Sequence, residues 1–158
     1  MYHVEQYVVV YSGDQEKIAV LLPEGYESSD NVLRIEVEVV NDLDGMEGEQ
    51  IFIEVNTPVE AEDGPEWLEL VSWESMWTDI FGMTDGVFTR FTADFDGTEF
   101  LDITFTENDG ECDCQFRWQD PENDYFSDKP EIAVPVMAVE PEEILDAYVM
   151  VFESEDEE

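Results

Sequence analysis

Apolar side chains recur at every second position over much of this chain. In residues 32–40, Leu33, Ile35, Val37 and Val39 fall on one side, and Arg34, Glu36 and Glu38 on the other. That is the period of a half-buried strand. A Gly-rich acidic turn, NDLDGMEGE, follows, and Ile51, Ile53 and Val55 then point inward on a returning strand over 51–55. Upstream, the β-branched runs 4–12 and 17–22 flank Gly13-Asp14 and read as a hairpin. Downstream, 87–95, 98–106 and 111–119 alternate in the same way. They are separated by Asp96-Gly97 and Asn108-Asp109-Gly110, both tight-turn signals. They predict a three-stranded antiparallel meander with Phe91, Ala93, Phe95, Leu101, Ile103, Phe105, Cys112, Cys114, Phe116 and Trp118 inside. Residues 132–139 (IAVPVMAV) read as one more strand, which Pro135 confines to an edge or bulge.

Two stretches carry helical spacing instead. After Asp63-Gly64-Pro65, a plausible helix start, Trp73, Met76, Trp77, Ile80 and Phe81 recur at i, i+3, i+4, i+7 and i+8, and Gly82 suits a stop. Pro141, Glu142 and Glu143 open the second, whose apolar face is Ile144, Leu145, Tyr148, Val149 and Phe152. The fold class expected is therefore α+β: mainly antiparallel β-sheet, about seven strands including the meander, with two helices. One domain is expected over 1–152, with 153–158 (ESEDEE) a solvated acidic tail.

Charge changes the picture more than any motif. The chain has 158 residues, of which 43 are Asp or Glu and 5 are Lys or Arg, so its formal net charge is −38. Hydrophobic residues at 43% and aromatics at 13% exceed what a disordered acidic chain carries, so a packed core is expected. Direct nucleic-acid binding is excluded, because it needs Lys and Arg to replace counterions. Docking on anionic lipid is excluded for the same reason. No run of about 18 apolar residues predicts a membrane span, and the first residues lack a basic secretory n-region. With two cysteines in a C-x-C, Cys112 and Cys114, and one histidine, His3, neither a redox pair nor a zinc set is expected. A cytoplasmic location follows (that of the host cell if the chain is virus-encoded).

Recognisable chemistry is scarce. There is no G-x-S-x-G and no phosphate loop, and His3 stands alone near a terminus. Paired carboxylates could serve glycoside hydrolysis, but among 43 acids such pairs arise by chance at any separation. Asp42-Leu43-Asp44-Gly45 and Asp94-Phe95-Asp96-Gly97 miss the EF-hand spacing. The sequence thus predicts no catalytic residue, no cofactor, no metal and no enzyme.

The acids themselves are the remaining signal. A globule of this length is about 40 Å across, and a DNA segment that long carries roughly 24 charges. Outward positions on a strand repeat every ~6.6 Å, so Glu36, Glu38 and Glu54 on one hairpin, and Asp94, Asp102, Glu111 and Asp113 on the meander, could line up as rows. Trp67, Phe52 and Phe88 fit core periodicity less well and could be exposed anchors. No aligned motif identifies a family. In charge and size the chain is similar to DNA-mimic inhibitors, namely anti-restriction proteins, glycosylase inhibitors and anti-CRISPR proteins, and ESEDEE resembles the acidic tail of a phage anti-restriction mimic. That resemblance implies a non-enzymatic inhibitor filling the groove of a basic nucleic-acid-binding protein: a nuclease, a glycosylase or a nucleoid protein. An immunity protein or chaperone for a basic toxin is the alternative in that class. A halophilic protein charged only for solubility is the alternative outside it.

Overall fold

The computed structural model describes residues 2–41, 49–76, 78–95, 97–119 and 130–154. Among them are nine strands and two short helices: β1 (Tyr2–Ser12), α1 (Gln15–Ala19), β2 (Val32–Asn41), β3 (Glu49–Val59), β4 (Glu66–Glu74), β5 (Asp79–Asp85), β6 (Phe88–Phe95), β7 (Thr98–Asn108), β8 (Glu111–Trp118), α2 (Pro130–Met137) and β9 (Glu143–Ser154). All pairings are antiparallel. The strands form a five-stranded sheet ordered β4-β3-β2-β1-β9 and a four-stranded sheet ordered β5-β6-β7-β8. The expected α+β class is corrected to a mostly β fold with nine strands rather than seven.

The two sheets bury one face each against the other. Tyr7, Val9, Tyr11, Leu33, Ile35, Val37, Ile53 and Trp73 of the larger sheet meet Phe91, Leu101, Ile103 and Phe105 of the smaller. Aromatic pairs bridge the gap. Tyr7 lies 5.0 Å from Phe91 edge-on, Tyr11 4.7 Å from Phe116, and Trp73 5.1 Å from Phe100. Trp118 Nε1 donates to the Tyr11 hydroxyl at 3.3 Å, so two polar handles are satisfied inside an apolar layer. The meander β6-β7-β8 falls where alternation places it, with Asp109 and Gly110 of its second turn both at positive φ. Both cysteines are free thiols, Cys114 buried and Cys112 half-buried.

Four segments differ from expectation. The helix expected after Pro65 is β4 and β5. Trp73 and Ile80 are buried, but Met76 and Phe81 are 51% and 60% exposed, so the i, i+3, i+4 stripe has no common face. Trp77 lies outside the described residues. A register shift opposite Val55/Asn56 breaks the period-2 pattern of β4 and hides it from a periodicity reading. The helix expected after Pro141 is β9, where Tyr148–Phe152 are all good strand formers. Conversely, IAVPVMAV folds as α2, with Pro135 inside it and Ala133 and Val136 fully buried. A short apolar run satisfies either period. The strand expected at 17–22 is largely α1, started by Asp14, whose carboxylate accepts from the Glu16 and Lys17 N–H groups at 2.9 and 3.1 Å.

Strand β9 pairs with β1 along its length and has no second hydrogen-bonded partner among the described strands, although β8 of the other sheet runs close to it. As an edge strand it exposes Leu145, Met150, Val151 and Phe152. Glu153 and Ser154, expected in an acidic tail, belong to it, and residues 155–158 lie outside the described residues. None of the described helices is long and apolar enough to cross a membrane.

Candidate functional site

The second face of the larger sheet is partly buried. Val8 is 1% exposed, yet Val8, Val4 and Val40 stand apart from the inter-sheet core. Register defines this face in rows. Val8 is opposite Glu36, Glu36 opposite Glu54, and Glu54 opposite Ser72. One row along, Gln6 is opposite Glu38 and Glu38 opposite Phe52. One row the other way, Val10 is opposite Arg34 and Arg34 opposite Asn56. Partners across a ladder share a face, so Gln6, Arg34, Glu36, Glu38, Glu54 and Asn56 come together on three strands around a valine floor.

These groups are tied to one another rather than to water. The Arg34 and Glu36 side chains are only 20% and 12% exposed and approach to 3.6 Å. The Gln6 amide donates to both Glu36 and Glu38, at 3.1 Å to the latter. The Arg34 guanidinium lies over the Trp67 ring, 4.3 Å from its centroid, a cation–π contact. Burial, then the neighbouring Glu38, holds the Glu36 carboxyl above the ordinary carboxylate range, against the pull of Arg34 and Gln6. Burial also raises Glu54, helped by Glu36 and Glu69 and opposed by Arg34. Two donors are left over. Arg34 Nε and Asn56 Nδ2 are buried without a hydrogen-bond partner among the described residues, an arrangement native interiors rarely keep.

The seven acids read from the sequence therefore divide. Glu36, Glu38 and Glu54 meet in this cup. Asp94, Asp102, Glu111 and Asp113 lie on the smaller sheet and form no common row. Asp102 is claimed by cations. It accepts from Arg90 Nε and Nη2 at 2.9 and 2.8 Å, with Arg117 at 3.6 Å, and the Arg90 hydrogen bonds hold its carboxyl below the usual range. Asp94, at a register shift, faces Glu99 and Asp79, and burial with their repulsion raises it. Glu111 and Asp113 are exposed, opposite Asn108 and Thr106. Sequence reasoning missed Gln6, Arg34 and Asn56. The signal was present for Arg34, a cation outward on a strand whose other outward residues are acids.

Schiff-base chemistry on a carbonyl substrate needs a lysine whose amine is deprotonated by an apolar pocket or a neighbouring cation. The chain has two lysines. Lys17 sits exposed on α1, its Nζ donating to the Ala138 carbonyl at 3.3 Å, and Lys129 lies outside the described residues. Among the described residues no group of three His, Cys, Asp or Glu side chains is placed to hold a metal ion.

No family model matches the chain, and no curated protein matches it by sequence. Solved structures do match in fold. Acetoacetate decarboxylase from Legionella pneumophila superposes with a TM-score of 0.73 at 9% identity, over 95% of this chain and 82% of that one. The enduracididine biosynthesis enzyme MppR, in complex with pyruvate, gives 0.69 at 12% identity over 95% and 84%. An acetoacetate decarboxylase-like enzyme from Sphingomonas wittichii RW1 gives 0.66 at 10% identity over 95% and 87%. The likeness is one of fold, and it corrects the sequence-based expectation. The chain is built as these enzymes are, so the reading as a non-enzymatic DNA mimic of the anti-restriction or anti-CRISPR kind falls. The expectation of no enzyme is corrected with it.

Proposed function

We propose that the cup on the larger sheet is the working site of an enzyme that moves a proton on a small keto acid. The observation that carries this reading is the pair Glu36 and Glu54. They are directly opposed across β2 and β3, and both are held above the ordinary carboxylate range. Carboxyls tuned upward by their surroundings are the usual acids and bases of enzymes working near neutral pH. Glu54, which has no ion-pair partner within 4 Å among the described residues, acts as the base. Its carboxylate takes a proton from the carbon beside the substrate carbonyl, leaving an enolate. Arg34, whose side chain is one-fifth exposed, holds the substrate carboxylate and offsets the developing charge. The substrate class is supported by the solved neighbours, named for acetoacetate in one case and complexed with pyruvate in another. The unpaired cysteines support a reducing, cytoplasmic setting.

The test is exchange of the pyruvate methyl protons in D2O, followed by proton NMR. The expected result is exchange above buffer that falls by about 100-fold or more in Glu54→Gln, the low end of a general base's contribution. Exchange no faster than buffer, or undiminished in the variant, defeats the reading. Borohydride trapping of pyruvate on a lysine would redirect the chemistry to a Schiff base.

A further inference from the structure

At one end the two sheets part and leave a cavity of about 170 Å³ between their inner faces. From the larger sheet come Glu5, Val39 and Ile51, which stand in one cross-strand row, with Tyr7 next on the same face of β1. From the smaller come Thr84 and Thr89, directly opposed on β5 and β6, and Phe91. Gly82 is opposite Phe91, and a Cβ there would stand 2.9 Å from the ring. The glycine lets the ring pack against the β5 backbone, and the space beyond it stays open. Two polar side chains of this wall are more than nine-tenths buried, Tyr7 at 6% and Thr89 at 8% exposed. Their hydroxyls form a chain. Thr84 and Thr89 share a hydrogen bond, Oγ1 to Oγ1 at 3.2 Å, Thr89 also reaches the Tyr7 oxygen, and Tyr7 donates to one Glu5 oxygen at 2.9 Å. His3 stands 3.5 Å from the other Glu5 oxygen. Hydroxyl hydrogens rotate to suit their partners, and a carboxylate accepts about four hydrogen bonds. The chain can therefore turn either a donor or an acceptor to the cavity, and Glu5 keeps room to accept.

These groups select by chemistry. An anion would meet Glu5 and Glu49 at the rim, and no lysine or arginine lines the cavity among the described residues. A cation would gain little here that the chain's 43 acids do not offer elsewhere. What this cavity adds is a run of hydroxyls beside a carboxylate, in a walled space. That combination suits neutral hydroxyl groups, each of which donates and accepts at once. We propose that the cavity is a binding site for a short neutral polyol of about three or four carbons, its hydroxyls shared among Glu5, Thr84 and Thr89 and its carbons lying against Ile51 and Phe91. The volume sets the size: an apolar cavity of about 150 Å³ admits benzene, so this one has room for glycerol or erythritol and little more. Glu5 and Tyr7 alternate along β1 with Gln6, so this site and the cup lie on opposite faces of the sheet, and it stands or falls apart from the keto-acid reading.

The experiment titrates ethane-1,2-diol, glycerol, erythritol and sorbitol into the full chain, with binding read from backbone NMR shifts. Each added hydroxyl should tighten binding by about two- to tenfold as far as erythritol, and sorbitol should gain nothing further. The largest shifts should fall at Ile51, Gly82, Thr84 and Thr89. Added salt should leave the affinity for erythritol unchanged, because the ligand carries no charge. Thr84→Val, which keeps the shape and removes a hydroxyl at an exposed position, should weaken erythritol by about two- to tenfold at an unchanged Tm. Glu111→Gln, an acid outside the cavity, should leave it as in the parent. Affinity that does not climb with hydroxyl number, shifts spread evenly over the surface, or no binding would overturn the inference. So would 1,4-diaminobutane binding more tightly than erythritol at the same residues, which would make the cavity a cation site.

Discussion

Replacing Glu54 by glutamine should make the protein more stable at neutral pH while removing its proposed base. Glu54 is half-buried, directly opposite Glu36 and close to Glu69, with Arg34 its one favourable charge. At the ~5.5 Å typical of directly opposed side chains, repulsion from Glu36 is about 0.75 kcal/mol in water and about 3 kcal/mol at an effective dielectric constant of 20. A half-buried pair lies between, so removing one charge is worth about 1–2 kcal/mol, or roughly 2–8 °C in Tm for a chain of this size. The pH dependence gives the sign. Because the folded-state carboxyl is raised, the stability that neutral Glu54 contributes is fully present below the unfolded value of 4.5 and is lost as pH rises through the folded value. The variant should therefore match the parent below about pH 4 and pull ahead above that window. Differential scanning calorimetry at pH 3.5 and pH 7 in low salt reads this directly. An unchanged or lower Tm at pH 7, or the same gain at both pH values, refutes the electrostatic account of the cup. A gain in stability joined to a loss of proton exchange is the trade expected of a site kept under strain for function.

Three further outcomes follow from the packing and the charges. Trp73→Ala, which empties the space beside Phe100 and Trp118, should cost about 3–5 kcal/mol in urea unfolding; a loss below about 1 kcal/mol would mean the two sheets collapse onto the gap. Asp102→Asn should cost no more than about 1 kcal/mol at pH 7, since Arg90 is half-exposed. Because the Asp102 carboxyl is lowered, its contribution is present above the ordinary value of 3.8 and lost as pH falls through the folded value, so parent and variant should converge in acid; a constant difference there would point to packing instead. Tyr7, whose hydroxyl donates to Glu5 at 2.9 Å and is pushed by burial up to about 12, should ionise there in an ultraviolet titration against Tyr7→Phe, and ionisation near 10 would show that its hydroxyl stands open to water.

The hairpin β2-β3 and the meander β6-β7-β8 were legible because one face of each is buried and the other polar, and because Asp-Gly dipeptides punctuate the sequence, although the expected acidic turn at 42–48 and Asp96 lie outside the described residues. Strands β4 and β9 were not. The first is interrupted by a register shift, and the second, at a sheet edge, is apolar on both sides, so neither shows a clean period of two. Helix α2 hid in a run apolar at every position. Glu36, Glu38 and Glu54 could be placed on one face from alternation alone. What alternation cannot show is how far these side chains are buried or which residues of other strands stand beside them. Gln6, from a strand far away in the chain, and Asn56, at a position its neighbours leave unmarked, enter the cup only through that long-range pairing.

Strand β9 has a practical consequence. Twelve residues long, it leaves one row of N–H and C=O groups facing outward beside Leu145, Val151 and Phe152, a shape that invites lateral addition of like chains. At neutral pH two molecules each carrying −38 cannot approach closely enough for such growth. Near pH 4, where free carboxyls take up protons, that barrier goes while the ladder edge remains. Acid precipitation or low-pH elution during purification would then seed fibrils, and neutral, low-salt buffers keep the chains apart.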